Sequence, residues 1–217
     1  MKFESITMEN FMRYKGRNHI EFSCDDVKNV TVVLGDNTVG KTTIAQAFRW
    51  GLYGALMANG TKSAGDFQLL NTDILEMMDA NSRAKVKVEI AAVDEEKRYI
   101  ITRETTYTRA FPKLESREFQ KKCAMRITEL EDMESYVEVD SNEIETLINE
   151  LFPKNLSHYF LFDGERWNDV SVGGVRENIK ESVHILTGLS AYREAKNHLK
   201  DMGSNSVIKK FRSEIKG

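Results

Sequence analysis

The chain has 217 residues, with 31 basic and 34 acidic side chains and a formal net charge of −3. This length fits one domain, or one lobe of a larger domain. Its 41% of hydrophobic residues can form a sizeable core, while two prolines and two cysteines exclude proline-rich, collagen-like and disulfide-scaffold classes. No apolar run reaches the roughly 20 residues of a membrane helix, so we expect no membrane partner and a cytoplasmic location.

Three strands are predicted before residue 35. Residues 3–8 alternate between apolar and polar side chains, and a second short segment follows at 19–22. The run at 30–34 is unbroken and β-branched, which is typical of a strand buried on both faces of a parallel sheet. We therefore expect two antiparallel strands followed by one central strand.

A helix and a long connection come next. Apolar residues at helical spacing predict a helix over 42–53 that ends at Gly54. Residues 55–82 are rich in Asn, Gly, Ser and Asp, which favours a surface connection with one short helix near 74–78.

An antiparallel sheet is predicted after this connection. Residues 85–90 alternate strictly, a turn follows at 94–96, and residues 99–103 alternate less cleanly. These features indicate a hairpin with one solvent-facing side. Segments at 125–130 and 136–139 extend the same sheet.

Helical patterns close the chain. Asp140 and Glu143 have the spacing of a capping box, ahead of a helix that we expect to end at about residue 152, before Pro153. From residue 175 onward the pattern is helical again.

Residues 35–42 carry the most specific signal in the chain. They fit the pattern G-x-x-x-x-G-K-[ST] and lie between a predicted strand and a predicted helix, which is the context that a P-loop requires. A glycine-rich turn with a solvated lysine is the alternative interpretation. The predicted nucleotide-binding residues are Gly35, Asp36, Asn37, Thr38, Val39, Gly40, Lys41, Thr42 and Thr43.

The chemistry of the P-loop explains its residue types. Gly35 and Gly40 allow backbone conformations closed to other residues, so that successive N–H groups and the helix N-terminus converge on a phosphate. Lys41 supplies a positive charge for the β- and γ-phosphates, and the Thr42 hydroxyl ligates Mg²⁺. We therefore predict a nucleoside triphosphate site with Lys41 as a catalytic residue.

The sequence resembles the N-terminal half of the ABC-type ATPase heads of the SMC/SbcC/RecF group. Five pieces occur in the order of that group, and the resemblance covers about residues 1–200. The pieces are residues 2–11 ending in Asn-Phe, the helix at 43–54, Leu-Leu-Asn at 69–71, the strand at 84–90 and the segment at 98–103.

The resemblance implies the fold and its division. We expect an α/β P-loop NTPase fold, the N-terminal lobe of an ABC-type head, with an attached antiparallel β-sheet and C-terminal helices that lead to a coiled coil. The lobe is expected at 1–172, with its antiparallel sheet at about 83–139, and the root of the coiled coil at 173–217.

The stretch at 159–166, which contains F-x-F-D-G-E, resembles DndD, the ATPase of DNA phosphorothioate systems, and related phage-defence ATPases. It lies where these heads carry the Q-loop, so Asp163 takes the place of the glutamine that contacts Mg²⁺ or the attacking water. Two other interpretations remain open. The segment also fits a Walker B strand with Glu165 as the base, and an acid that ends an apolar strand is often a turn residue.

Basic residues suggest two further contacts. Arg13 and Lys15 lie in a loop that, in these heads, brings a basic side chain near the nucleotide, although a solvated arginine is equally compatible with the sequence. Between residues 97 and 126 there are nine basic and three acidic residues, with aromatic residues among them. This stretch fits either non-specific binding to the DNA backbone or a solvated hairpin.

The resemblance implies ATP and Mg²⁺ as cofactors and DNA as a partner. The work on DNA is DndD-like, in DNA modification or phage defence, or of the SbcC/RecF repair type, with nuclease or DNA-modification subunits as further partners. The signature motif and the catalytic base have no place in this sequence. We therefore expect an ATPase that is inactive alone and needs the C-terminal half of the head and a second head as a homodimer. A nucleotide-gated binding module without turnover and a phosphotransferase are the alternatives.

Overall fold

A computed structural model describes residues 1–36, 39–56, 68–80, 82–110 and 114–154, together with residues 157 and 161. The strands are β1 (Lys2–Glu9), β2 (Arg17–Glu21), β3 (Arg83–Asp94), β4 (Lys97–Arg109), β5 (Ser116–Glu129) and β6 (Asp132–Glu138). The helices are α1 (Lys41–Tyr53), α2 (Thr72–Met77) and α3 (Ile144–Leu151). Within these ranges, none of the helices has the length and apolar character needed to cross a membrane.

The six strands form one sheet in the order β2-β1-β3-β4-β5-β6, and every neighbouring pair is antiparallel. The predicted strands at 3–8, 19–22 and 85–90 and the hairpin turn after them are confirmed. β5 begins at Ser116, well before the predicted start at residue 125. Its first half is charged and largely exposed, so the apolar alternation that marks a strand is absent there.

The core lies between one face of this sheet and α1. Ile6, Val88, Ile90 and Ile101 are fully buried on the sheet face. A β-carbon added to Gly51 of α1 would lie 2.7 Å from the Cδ1 atom of Ile90, so the helix approaches the sheet more closely than a larger residue allows. Close packing of this kind fixes α1, and therefore its N-terminus, relative to the sheet.

The predicted strand at 30–34 is absent. The structure shows no strand there, and the side chains of Val30, Val32 and Leu34 are 75%, 71% and 88% exposed. A strand buried on both faces needs a neighbour along each edge and packing on each face. No strand in the described part of the chain pairs with residues 30–34, so the prediction of a buried central strand is wrong for this structure.

The connection that was predicted as a surface loop contributes to the core. Leu70 and Leu75 are buried to 1% and 0% exposure, and Phe11 forms an isolated antiparallel bridge with Leu70. Asn71 begins α2, because its side-chain oxygen accepts hydrogen bonds from the amides of Asp73 and Ile74. The polar composition of 55–82 therefore gave no sign that the residues around Leu70 and Leu75 are packed in the core.

The predicted helix after residue 143 is confirmed as α3, but its cap differs from the prediction. The Asp140 carboxylate accepts a hydrogen bond of 2.8 Å from the amide of Asn142, and the residue before the helix, Glu143, makes no side-chain capping bond. The aspartate thus closes a local turn instead of a capping box. The helices predicted from residue 175 onward, and with them the division at residue 172, lie outside the described residues.

Candidate nucleotide-binding site

The N-terminus of α1 has a local geometry that suits an anion. Gly40 precedes the helix with φ 109°, a left-handed conformation that favours glycine, and makes no side-chain capping bond. Among the described residues, no acidic side chain lies in the first turn of α1. The first amides of a helix have no partner within the helix, and the helix dipole favours a negative charge beside them. This end of α1 therefore offers N–H groups to a phosphate.

The lysine of the P-loop turns back over the loop. The Nζ atom of Lys41 donates to the carbonyl oxygens of Gly35 and Asp36, each at 2.6 Å. An ammonium group has three donors and no acceptor, so phosphate oxygens can replace these carbonyls without loss of a donor. The chemistry of the donor set fits a phosphate group at this position.

The other predicted nucleotide contacts differ in their exposure to solvent. Thr42 is exposed beside Lys41, where its hydroxyl oxygen suits a hard cation such as Mg²⁺. Thr43 is buried, which leaves its backbone amide as the group that it offers. Asn37 and Thr38 lie outside the described residues. Val39 is 55% exposed at the mouth of the loop.

A strained corner between β1 and β2 lies next to this loop. Asn10 and Met12 have φ values of 52° and 50°, in the left-handed region that side chains other than glycine rarely adopt. Each such residue costs on the order of 1–3 kcal/mol and persists only where its surroundings enforce it. Here the Met12 amide donates to the carbonyl of Leu69 at 2.6 Å, and the Asn71 side chain donates to the carbonyl of Met12 at 2.8 Å.

The side chain of Asn10 closes the same corner. Its oxygen accepts a hydrogen bond from the amide of Gly16, and its nitrogen donates to the carbonyl of Lys85 in β3, both at 3.0 Å. The corner is thus attached both to the sheet and to the segment before α2. This arrangement explains in physical terms why the Asn-Phe and Leu-Leu-Asn pieces occur together in this sequence.

The corner packs directly on the P-loop. A β-carbon added to Gly40 would lie 3.4 Å from the Tyr14 ring and 3.5 Å from the Cβ atom of Arg13, and the Tyr14 hydroxyl donates to the carbonyl of Gly40 at 3.3 Å. Burial raises the pKa of Tyr14, so its hydroxyl remains a donor at neutral pH. The Cβ atom of Arg13 therefore lies beside the P-loop, while Lys15 pairs with Asp73 at 3.5 Å.

Sequence reasoning missed Tyr14. Its motif position gave no sign of a contact, because the contact depends on the left-handed turn at Met12 and not on spacing along the chain. A lone tyrosine in a loop carries no periodic or motif signal.

The Q-loop-like stretch at 159–166 lies outside the described residues, apart from Leu161. The choice among Q-loop, Walker B and turn interpretations of Asp163 therefore stays a prediction. Within the described ranges, no three His, Cys, Asp or Glu side chains are grouped so that they could hold a metal ion.

Several members of the basic stretch at 97–126 have internal partners. Arg103 donates to the carbonyls of Gly51 and Leu52 at 3.2 and 3.1 Å and to the Glu145 carboxylate at 2.8 Å. Arg109 donates to carbonyls at the end of α2. The further ion pairs are Arg98 with Glu4 at 2.5 Å, Lys97 with Glu129 at 3.6 Å and Lys121 with Glu118 at 2.6 Å. The stretch is therefore not one continuous basic surface.

A cavity of about 680 Å³ lies at the other end of α1, away from the P-loop. Its lining includes Trp50, Arg103, Tyr107 and Cys123. Burial raises the pKa of the Cys123 thiol, which makes it a weak nucleophile at neutral pH.

The chain has similarity to solved structures and matches a protein-family model. No curated protein matches the chain. Among solved structures, a chain from work on ATP-driven dimerisation and DNA-stimulated activation of SMC ATPases has 15% identity and a TM-score of 0.48, covering 82% of this chain and 96% of that chain. A likeness this slight transfers no residue role.

A protein-family model described as an AAA domain matches residues 5–215. The match spans the P-loop, the corner and the antiparallel sheet, and it confirms the predicted class of a P-loop NTPase with an attached sheet. The chain belongs to the AAA domain family and is a nucleotide-binding ATPase module.

Proposed function

We propose that this chain is the ATP- and Mg²⁺-binding N-terminal lobe of an SMC/SbcC-like ATPase that acts on DNA. The observation that carries the proposal is the open N-terminus of α1, where Gly40 has φ 109° and Lys41 donates to two loop carbonyls at 2.6 Å. The Asn-Phe corner packed against Gly40 supports the more specific assignment to the SMC/SbcC group, because the corner belongs to the resemblance described above.

In this proposal the P-loop residues bind and orient the triphosphate. The ammonium group of Lys41 leaves the two carbonyls and donates to β- and γ-phosphate oxygens, while the amides after Gly40 donate to the β-phosphate. The Thr42 hydroxyl ligates Mg²⁺, which when bound neutralises charge between the β- and γ-phosphates. The Cβ atom of Arg13 lies beside Gly40, and in this proposal its side chain adds a second positive charge at the site.

Asp163 provides the acidic group of the site. As a Q-loop residue it ligates Mg²⁺ or orients the attacking water, and as a Walker B residue it holds Mg²⁺ through water. In either role the carboxylate of Asp163 would act on Mg²⁺ or on a water molecule beside it. We favour the Q-loop role, since no signature motif precedes residue 159.

A second lobe is part of the proposal, and the exposed segment before the P-loop supports it. Val30, Val32 and Leu34 are at least 71% exposed, although soluble proteins rarely leave a contiguous apolar run in water. We propose that the C-terminal half of the same head covers residues 30–34 and supplies the signature motif and catalytic base. ATP hydrolysis then requires this half and a second head in a homodimer.

The pathway is a finer part of the same proposal. The F-x-F-D-G-E form at 160–165 favours a DndD-like role in DNA modification or phage defence, with nuclease or DNA-modification subunits as partners. A repair or recombination ATPase of the SbcC/RecF type is the alternative. Lys122 and Arg126 are exposed on one face of β5 and supply a place for non-specific contact with DNA phosphates.

ATP turnover by three samples tests the proposed function. The samples are the chain alone, the chain with the C-terminal half, and both halves with DNA. Each sample is measured with the native protein, with Lys41→Ala and with Lys28→Ala. Lys28 is an exposed lysine shortly before the P-loop and serves as the matched control. We expect turnover when the halves are joined, loss of it in Lys41→Ala, and native rates in Lys28→Ala.

Other outcomes identify the alternatives. Turnover of about 1–1,000 per second by the chain alone contradicts the divided site. ATP binding without turnover in any sample favours the nucleotide-gated module. Transfer of the γ-phosphate to an acceptor other than water favours the phosphotransferase. DNA binding that does not weaken with salt contradicts phosphate contacts by the basic residues.

A further inference from the structure

A buried arginine of α1 is bonded to the backbone just before Asp163. Arg49 is 6% exposed, and its Nε atom donates to the carbonyl of Leu161 at 3.0 Å. Its second guanidinium nitrogen donates to the same carbonyl and to that of Ser157 at 3.3 Å. One side chain of the P-loop helix therefore binds two backbone oxygens that lie more than 100 residues away in the sequence.

The free-energy cost of burying a guanidinium indicates that Arg49 positions the backbone that it binds and does not only fill space. A buried guanidinium is destabilising unless its donors are paired, and an apolar side chain of similar size would fill the same space without that cost. The rigid fork of arginine, in contrast, fixes the direction of the groups that it binds. The backbone that it binds is itself closed by a 2.9 Å hydrogen bond from the amide of Leu161 to the carbonyl of Ser157.

The place of Arg49 in the chain connects two parts of the proposed site. Arg49 lies about two helical turns after Lys41 on the same helix, since an α-helix has about 3.6 residues per turn. Leu161 precedes Asp163 by two residues, and two residues of chain span at most about 7 Å. The carbonyl of Leu161 is thus fixed to α1 two residues before Asp163, which itself lies outside the described residues.

We propose that Arg49 is a positioning residue that holds the backbone before Asp163 on the P-loop helix, so that Asp163 can reach the Mg²⁺ of a nucleotide bound at Lys41. The inference rests on the proposed function and assigns a role to a residue outside the P-loop motif. Arg49 itself touches neither the nucleotide nor the metal in this proposal.

A second buried arginine provides a matched control. Arg103 also binds α1, through the carbonyls of Gly51 and Leu52, and its side chain is 14% exposed. Within the described part of the chain, Arg103 donates hydrogen bonds to α1 and α3 and not to residues 157 or 161. Arg103→Met therefore disturbs the anchoring of α1 without touching the segment before Asp163.

The test is a titration of the chain with a fluorescent ATP analogue, with Mg²⁺ and with EDTA. We expect Mg²⁺ to raise the affinity of the native chain by about tenfold, as for one hydrogen bond or ligand to a charged group, and Asp163→Asn to lose this increase. Arg49→Met should lose it too, while its affinity in EDTA stays within about twofold of native. Arg103→Met should keep the increase. The double variant Arg49→Met/Asp163→Asn should be no weaker than Asp163→Asn alone, because the two residues act in one unit.

The outcomes separate the inference from the proposed function. A native chain that binds no ATP contradicts the proposed function. If Asp163→Asn loses the Mg²⁺ effect but Arg49→Met keeps it, only the role of Arg49 is overturned. Additive losses in the double variant also overturn it. If Arg49→Met does not fold, Arg49→Lys, which keeps the charge and loses the fork, must show a reduced Mg²⁺ effect.

Discussion

Two segments of this chain that are rich in β-branched residues, one an unbroken run and the other an alternating strand, lie in opposite environments. Val86, Val88 and Ile90 of β3 are fully buried, whereas Val30, Val32 and Leu34 before the P-loop are 71–88% exposed. β3 lies between β1 and β4 and beneath α1, while the described structure gives the segment at 30–34 no strand on either side. An apolar, β-branched run thus predicts where a strand can be buried, and only the neighbours decide whether it is.

The comparison also describes the two ends of α1. Its C-terminal half is bonded to the sheet through Arg103 and packs on Ile90, whereas its N-terminus carries Lys41 and follows the exposed segment in the chain. Burying one large aliphatic side chain contributes about 1.5–3 kcal/mol. A partner that covers the exposed segment can therefore gain several kcal/mol of binding free energy from burying these side chains. This gain arises before the end of α1 at which a nucleotide binds in our proposal.

The largest expected effect compares the two segments directly. Ile90→Ala should lower the free energy of unfolding by about 2–5 kcal/mol, because it leaves a cavity under α1. Val32→Ala should change it by less than about 0.5 kcal/mol, because the side chain is already in water. Urea denaturation of both variants measures this. Equal losses would show that residues 30–34 are packed in the isolated chain, and the comparison would fail.

A second substitution examines the anchored end of α1. Arg103→Met should cost about 1–3 kcal/mol, because it leaves the carbonyls of Gly51 and Leu52 and the Glu145 carboxylate without this donor. Lys122→Met, on the exposed part of β5, is the control and should stay within about 0.5 kcal/mol of native. Thermal unfolding of the two variants measures the stability loss of each. A cost for Arg103→Met no larger than that of the control would mean that the sheet does not anchor α1.

A smaller effect is expected at the corner beside the P-loop. Asn10→Ala removes the hydrogen bonds to Gly16 and Lys85 and places alanine at φ 52°, so we expect a loss of about 1–2 kcal/mol. ATP should also bind a few-fold more weakly, because Arg13 is no longer held at Gly40. Asn142→Ala, which also removes a turn hydrogen bond but lies before α3, is the control and should leave ATP affinity unchanged. If Asn10→Ala bound ATP with native affinity, the corner would have no role in nucleotide binding.

The sequence was sufficient for the features that depend on local pattern. The P-loop motif, the hairpin of β3 and β4, α1 with its end at Gly54, and α3 all follow from spacing and turn chemistry. Tertiary contacts decided the rest. The contact of Tyr14 with Gly40 and the bonds of Arg49 to residues 157 and 161 join segments that are distant in sequence, and no periodicity predicts them.

The two errors about burial have related causes. The segment at 30–34 was predicted to be buried because its hydrophobicity is high, and the segment around Leu70 was predicted to be exposed because its surroundings are polar. In both places composition was a poor guide, because burial depends on what packs against the segment. The exposure at 30–34 is nevertheless informative, since it supports a partner lobe at this edge of the site.

The affinity of the native chain for ATP with Mg²⁺, compared with that of Lys41→Ala, tests the central claim most directly. Lys28→Ala, an exposed lysine shortly before the P-loop, is measured in parallel by calorimetric titration. Our account predicts that Lys41→Ala binds at least about tenfold more weakly, since it loses a charged contact to the phosphates, and that Lys28→Ala binds like the native chain. Equal affinities of all three proteins would contradict the assignment of the α1 N-terminus as the nucleotide site.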